Sequence, residues 1–181
     1  EGQRIAVPVN TSLAVDDAVD SVGADAIRTR VGDVYVAEAC AEPNVVFGGE
    51  PSGAWIWSDE TPCPDGPLAA CKLVELVSKR GPLSELVAAI DTYPLRRESV
   101  ETTDKARVLE RVEESVRDEY DDIDDRDGVR VATDDGWFLV RASGTQPLVR
   151  VTAEARTEAN ADRLFDDAMD RVEAARAAVE A

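Results

Sequence analysis

The chain predicts an α/β domain on a mixed sheet, followed by a smaller α+β domain with an antiparallel sheet and two helices packed on one face. Three observations point there. Strand-like and helix-like segments alternate through the first half of the chain. The rhythm breaks at Asp91-Thr92-Tyr93-Pro94. Beyond that break strands predominate, with one helix among them and a long one at the end. Two domains follow, residues 1–92 and 96–181.

Ile5 to Val9 is apolar and strand-like, Val15 to Ser21 helical, Ala26 to Arg30 extended, Tyr35 to Ala41 helical, and Val45 to Gly48 extended. Ala54-Trp55-Ile56-Trp57 resumes as a strand. Asp65 caps the next helix, Pro67 sits in its first turn, and the helix runs to Lys79 before Gly81 stops it. Leu68, Ala69, Cys71, Leu73, Val74, Leu76 and Val77 make it apolar almost all round, so a buried crossover helix is expected. A short helix, Leu83 to Ile90, follows. After the break come a strand near Glu98 to Val100, a helix over Lys105 to Tyr120, and strands over Gly128 to Thr133, Trp137 to Arg141 and Leu148 to Ala155. The last helix carries Ala161, Leu164, Phe165, Ala168, Val172 and Ala175 on one stripe, the pattern of one-sided packing on a sheet.

Charge narrows the function. The 181 residues hold 38 acidic and 20 basic side chains and no histidine, a net charge of −18. Such a field repels nucleic acid and anionic membranes, and neither is expected as a partner. Abundant Asp beside only 3 lysines resembles proteins of salt-loving microbes, here a halophilic archaeon. Stability should then be lower in dilute buffer, where self-repulsion is unscreened. Cys40, Cys63 and Cys71 support neither a disulfide framework nor a Cys/His metal site, and Cys40 and Cys71 read as buried thiols. The acidic run Asp121-Asp122-Ile123-Asp124-Asp125 lacks the bidentate glutamate of a calcium loop and reads as a solvated loop. With no membrane-length apolar run and no signal peptide, a soluble cytoplasmic protein is expected.

Two loops carry the chemistry. Arg141-Ala142-Ser143-Gly144-Thr145-Gln146-Pro147-Leu148-Val149-Arg150 places arginines on both sides of a hydroxyl- and glycine-rich loop between two strands. A phosphate dianion needs several short donors at once. The guanidinium forks of Arg141 and Arg150, the hydroxyls of Ser143 and Thr145, and backbone N–H groups freed by Gly144 supply them. The plainer alternative is a polar hairpin turn with two surface arginines. The second loop, Gly48-Gly49-Glu50-Pro51-Ser52-Gly53, follows the strand Val45 to Phe47. In an extended segment Glu50 and Ser52 face the same way and offer a carboxylate and a hydroxyl to vicinal sugar hydroxyls. A glycine-rich hairpin is the alternative.

Together the two loops resemble the α-D-phosphohexomutase superfamily, which includes phosphoglucomutase, phosphomannomutase and phosphoglucosamine mutase. The resemblance covers essentially the whole chain. The Gly-Glu-x-Ser-Gly sugar motif of the family's third domain is matched by Gly49 to Gly53, and the Arg-x-Ser-Gly/Asn-Thr phosphate loop of its fourth by Arg141 to Thr145. Thr29-Arg30-Val31-Gly32-Asp33 is similar to its Thr-x-Val-Gly-Asp segment, and Pro64-Asp65-Gly66 to its Asp-Gly helix start. The resemblance implies that Glu50 and Ser52 bind sugar hydroxyls, with Asp33 a further candidate whose alternative role is to cap a helix before Val34. It implies that Arg141, Ser143, Gly144, Thr145 and Arg150 hold the phosphate that is not being transferred.

Departures are Ala54, where the sugar motif usually continues with histidine, and Gln146, where the phosphate loop often continues with glutamate. The family's phosphorylatable serine and its magnesium loop, Asp-Gly-Asp-x-Asp-Arg, do not occur in this sequence. The resemblance therefore implies the C-terminal half of a mutase, beginning inside the third domain and inactive alone. Missing N-terminal domains would supply the nucleophile and Mg2+, and a hexose 1,6-bisphosphate would be the intermediate. The wording of the motifs is nearest phosphoglucosamine mutase, with phosphomannomutase and phosphoglucomutase close. A stand-alone, non-catalytic sugar-phosphate binding module and an acidic interaction domain are the rival readings.

Overall fold

The computed structural model describes residues 2–181, and the chain divides after Thr92 into two compact units, each taken by itself below. In the first unit β1 (Arg4–Pro8), β2 (Asp25–Thr29), β3 (Val45–Gly49) and β4 (Trp55–Trp57) form one sheet in the order β2-β1-β3-β4. β1 pairs parallel with both β2 and β3, and β4 runs antiparallel to β3, so the sheet is mixed. Helix α1 (Leu13–Asp20) links β1 to β2, and α2 (Asp33–Cys40) returns the chain past β1 to β3. The strand order thus reverses at β1. In open α/β sheets the connections diverge at such a point and leave a crevice at the carboxyl ends of the strands.

Local chemistry sets the boundaries. Ser12 caps α1, its hydroxyl accepting from the Ala14 amide at 3.1 Å. A core of Ala6, Val36, Ala39, Cys40, Val45 and Ile56 fixes α2 on the sheet. Gly48 is required there, because a Cβ would lie 2.3 Å from Cys40 Sγ and 2.7 Å from Val36 Cγ1.

Helix α3 (Gly66–Arg80) begins at its Asp65 cap, whose carboxylate accepts from the Leu68 amide, and ends at Gly81 with φ 106°. It is not the buried crossover helix that its composition predicts. Ala69 is its one buried residue, and Val74 is 71% exposed. The reason is topological: the sheet ends at β4, no strand of this sheet follows α3, and the helix flanks an edge instead of bridging two strands. Cys71 on this helix is exposed for the same reason, whereas Cys40 is buried. The short helix α4 (Leu83–Ala88) follows.

The second unit is an antiparallel five-stranded sheet, ordered β5-β9-β8-β7-β6, from β5 (Leu95–Glu101), β6 (Ile123–Asp124), β7 (Val129–Thr133), β8 (Gly136–Ala142) and β9 (Leu148–Ala155). Helices α5 (Lys105–Arg117) and α6 (Glu158–Glu180) supply one core with it. Val108, Val112 and Val116 repeat every four residues on α5 and are fully buried. They meet Phe138, Val140 and Val151 from the sheet and Leu164, Ala168 and Val172 from α6. The acidic run expected as a solvated loop contributes the two-residue β6. On the alternate positions of β8 and β9, Trp137 and Glu154 are also buried, and the indole N–H donates to Glu154 Oε2 at 3.1 Å. Among the described residues no helix is long and apolar enough to cross a membrane.

Candidate functional site

In the first unit the residues of interest gather at the carboxyl ends of β2 and β3. Glu50 follows β3, and its Oε1 accepts from the Gly32 amide at 2.7 Å. Its Oε2 accepts from the Ser52 hydroxyl at 3.0 Å. The carboxylate therefore ties the Val31-Gly32-Asp33 segment after β2 to the turn after β3, and two motifs 18 residues apart form one structure.

The route to this pairing differs from the one the sequence suggests. Residues 50–53 are a turn, not an extended segment: the Glu50 amide donates to Ala54 O and the Gly53 amide to Glu50 O, both at 3.0 Å. Gly53 adopts φ 90°, where a side chain would be strained. Glu50 and Ser52 meet because the β3–β4 hairpin folds them together, and strand alternation plays no part. Asp33 is the first residue of α2, with Gly32 at the cap, and Asp33 Oδ1 accepts from the Val34 amide at 2.9 Å. It is exposed on the segment that Glu50 holds. Arg28, in β2, is committed elsewhere: it ion-pairs with Asp16 and donates to Pro8 O and Thr11 O, both at 3.3 Å.

In the second unit the Arg-Ala-Ser-Gly-Thr loop joins β8 to β9, and the strand register sets Arg141 directly opposite Arg150. Opposed residues of an antiparallel pair share a face, and like charges so placed repel. Arg141 is half-buried and has Asp127 Oδ2 3.5 Å from its Nη1. Arg150 is exposed, and its Nη2 donates to the neutral Gln146 Oε1 at 3.3 Å. Among the described residues no ion pair joins it to a carboxylate.

Between them, Ser143 is buried, its amide donating to Leu148 O at 2.9 Å and its Oγ accepting from the Gln146 amide at 3.3 Å. That hydroxyl organises the turn while its proton stays available to donate. Gly144 and Thr145 are exposed, and among the described residues their backbone N–H groups have no protein partner. A cluster of free N–H groups flanked by two guanidinium groups and a hydroxyl offers the kinds of donor that an anion requires.

Sequence reasoning misses Lys105. Its ammonium, at the start of α5, donates to Ser143 O and, at 3.2 Å, to Gln146 O. Beside it the Thr102 amide donates to Pro147 O at 3.1 Å. No local signal marks either residue, since both reach the loop through the pairing of β5 with β9.

The family model for the phosphoglucomutase/phosphomannomutase alpha/beta/alpha domain III matches residues 1–93, and that for the C-terminal domain of the same proteins matches residues 97–171. A protein of Methanopyrus kandleri named phosphoglucosamine mutase is 51% identical over 172 residues, which is 93% of this chain and 38% of the relative. One of Methanothermobacter thermautotrophicus with the same name is 47% identical over 166 residues, 88% of this chain and 37% of the relative. The chain thus spans little more than a third of the length of these relatives.

Among solved structures, a phosphoglucomutase/phosphomannomutase family protein of Burkholderia thailandensis has a similar fold, with a TM-score of 0.83 at 23% identity over 96% of this chain and 38% of that one. An N-acetylphosphoglucosamine mutase of Aspergillus fumigatus, solved with GlcNAc-6P and magnesium, gives 0.65 at 17% identity over 96% of this chain and 39% of that one. With both domain models matched in order and close relatives at about half identity, this chain belongs to the phosphoglucomutase/phosphomannomutase family of α-D-phosphohexomutases and carries that family's third and C-terminal domains.

Proposed function

We propose that this chain is the C-terminal half of a phosphohexomutase that interconverts hexose 6-phosphate and hexose 1-phosphate, with glucosamine phosphate the favoured hexose. Residues 1–92 act as the sugar-recognition domain and 96–181 as the phosphate-binding domain. Glu50, Ser52 and Asp33 address the sugar hydroxyls, and Arg141, Ser143, Gly144, Thr145 and Arg150 hold the phosphate that stays in place. The observation that carries the reading is the direct opposition of Arg141 and Arg150 beside the free N–H groups of Gly144 and Thr145. That arrangement is unfavourable alone and favourable around a dianion. The relatives named phosphoglucosamine mutase support the choice of hexose.

Phosphoryl transfer depends on positioning and on neutralising the charge of the transferred group. This half does the positioning. Among the described residues no three His, Cys, Asp or Glu side chains are grouped to hold a metal. On this reading Mg2+, the phosphorylated nucleophile and the turnover of a hexose 1,6-bisphosphate belong to the rest of a cytoplasmic protein, and the chain alone has no mutase activity.

The test is titration of the chain in molar salt with glucosamine 6-phosphate, mannose 6-phosphate, glucose 6-phosphate and inorganic phosphate, followed by amide NMR shifts. Sugar phosphates should shift residues 49–53 and 141–150, inorganic phosphate only the latter, and glucosamine 6-phosphate should bind most tightly. Sugar phosphates that shift neither loop would overturn the reading.

A further inference from the structure

We infer that Lys105 is a positioning residue of the phosphate loop: by clamping the carbonyls of Ser143 and Gln146 it turns the Gly144 N–H outward to meet a phosphate oxygen. The proposal rests on the reading of residues 141–150 as a phosphate site.

The geometry follows from peptide planarity. In a trans peptide the C=O and the following N–H point in opposite directions. Lys105 Nζ holds Ser143 O, so the N–H of the same peptide unit, that of Gly144, points away from the ammonium. That N–H is one of the two in the loop without a protein partner among the described residues. A second carbonyl, Gln146 O, lies 3.2 Å from the same Nζ, so one ammonium fixes both ends of the Gly144-Thr145 crest. The Thr102 amide, bonded to Pro147 O at 3.1 Å, secures the exit of the loop from the same side.

A crest of glycine and exposed threonine has few contacts of its own, and without the clamp its peptide units have more freedom to rotate. Lys105 also withdraws two carbonyl oxygens that would otherwise present negative charge to an incoming anion. With two of its three donors serving these carbonyls, Lys105 acts through the loop, while Arg141 and Arg150 meet the phosphate.

The experiment compares Lys105→Met, Lys105→Arg and Arg141→Ala in the whole 181-residue chain, with inorganic phosphate as the probe and the amide signals of Gly144 and Thr145 as the readout. Lys105→Met should shift and broaden both amides before any phosphate is added, and weaken phosphate binding by about tenfold, the scale of a charge-assisted hydrogen bond. Lys105→Arg, which keeps a cationic donor, should restore most of both. Arg141→Ala should weaken binding by about tenfold or more while leaving the two amides of the free chain in place.

If Lys105→Met weakens binding but leaves the amides of the free chain unmoved, the lysine acts through charge alone and the positioning role is refuted. If it changes neither, the lysine is irrelevant to the loop. If inorganic phosphate fails to shift the loop of the unsubstituted chain, or Arg141→Ala binds it as well as the unsubstituted chain, the phosphate-site reading falls and the proposal with it.

Discussion

The opposition of Arg141 and Arg150 predicts that the second unit gives up stability to set two like charges at the proposed phosphate site. Replacing Arg150 with Gln removes one of two like charges that the β8–β9 register sets opposite each other. Directly opposed like charges cost about 0.2–1 kcal/mol. Asp127 offsets part of this at Arg141, and Arg150 is exposed, so the release should lie toward the lower end. The variant should therefore be as stable as the parent, or slightly more so, in phosphate-free buffer. At phosphate a hundredfold above its dissociation constant the parent gains about 2.7 kcal/mol, because ligand binds the folded state alone. Losing one charge-assisted contact weakens binding by about 1.5–3 kcal/mol, which leaves the variant about 0.3–1.3 kcal/mol of that gain. Residue-resolved amide exchange in β8 and β9, with and without phosphate, isolates this unit from the first. A variant that loses more than about 1 kcal/mol without phosphate would show that the arginine stabilises the fold. One that keeps the full phosphate gain would remove Arg150 from the site.

Four further outcomes follow from the geometry. Glu50→Gln should retain an acceptor for the Gly32 amide and keep the local fold, yet lose discrimination between hexose epimers; an unchanged epimer ratio in binding assays would exclude Glu50 from sugar recognition. Gly48→Ala should lower stability by about 1–3 kcal/mol in denaturant unfolding, since the new methyl meets Cys40 Sγ and Val36, and a neutral result would mean that α2 sits farther from β3 than described. Burial pushes the Cys40 thiol up, with the Ser58 hydroxyl a smaller opposing influence. The folded state thus holds its proton more tightly, so Cys40's contribution to stability is complete below the unfolded thiol pKa of about 8.5 and declines as pH rises above it. Cys40→Ala should flatten that decline. Finally, with a net charge of −18, thermal stability should rise from dilute buffer to molar salt, and a flat dependence would refute the self-repulsion argument.

What could be read from the residues was what neighbours in sequence decide. The Arg-Ala-Ser-Gly-Thr loop announces itself because a hydroxyl, a glycine and flanking strands are local signals, and the stripe on α6 because helical packing has a short period. The Lys105 clamp is invisible at that level. Its position depends on the last β5–β9 pair, Glu101 with Leu148, which brings the next residues of the chain against Pro147 and starts α5 beside the loop. The bond between Gly32 and Glu50 depends likewise on the strand order that sets β2 and β3 on either side of β1. Composition misleads for α3, where ringed apolar residues suggest burial. Burial requires a strand on its far side, and the chain instead proceeds to α4.

The two loops divide recognition in a way that suits the proposed reaction. Arginine forks, backbone N–H groups and a hydroxyl that address a phosphate alone, as proposed for residues 141–150, would recognise it whichever carbon carries it. A site of that kind accepts the phosphate of a hexose 6-phosphate and of a hexose 1-phosphate alike. On the proposed reading the Glu50–Ser52 pair reads hydroxyls instead, and its carboxylate is held on two sides, by the Gly32 amide and the Ser52 hydroxyl. A fixed carboxylate can accept from vicinal hydroxyls in more than one orientation of the ring, provided that their spacing is preserved. On that reading, tolerance of the phosphate position and selectivity for the hydroxyl pattern are properties of separate units. Substitutions in residues 141–150 should change the affinity for all hexose phosphates together, and those in residues 49–53 should change their ranking. A substitution in the phosphate loop that reordered the hexoses would contradict the division.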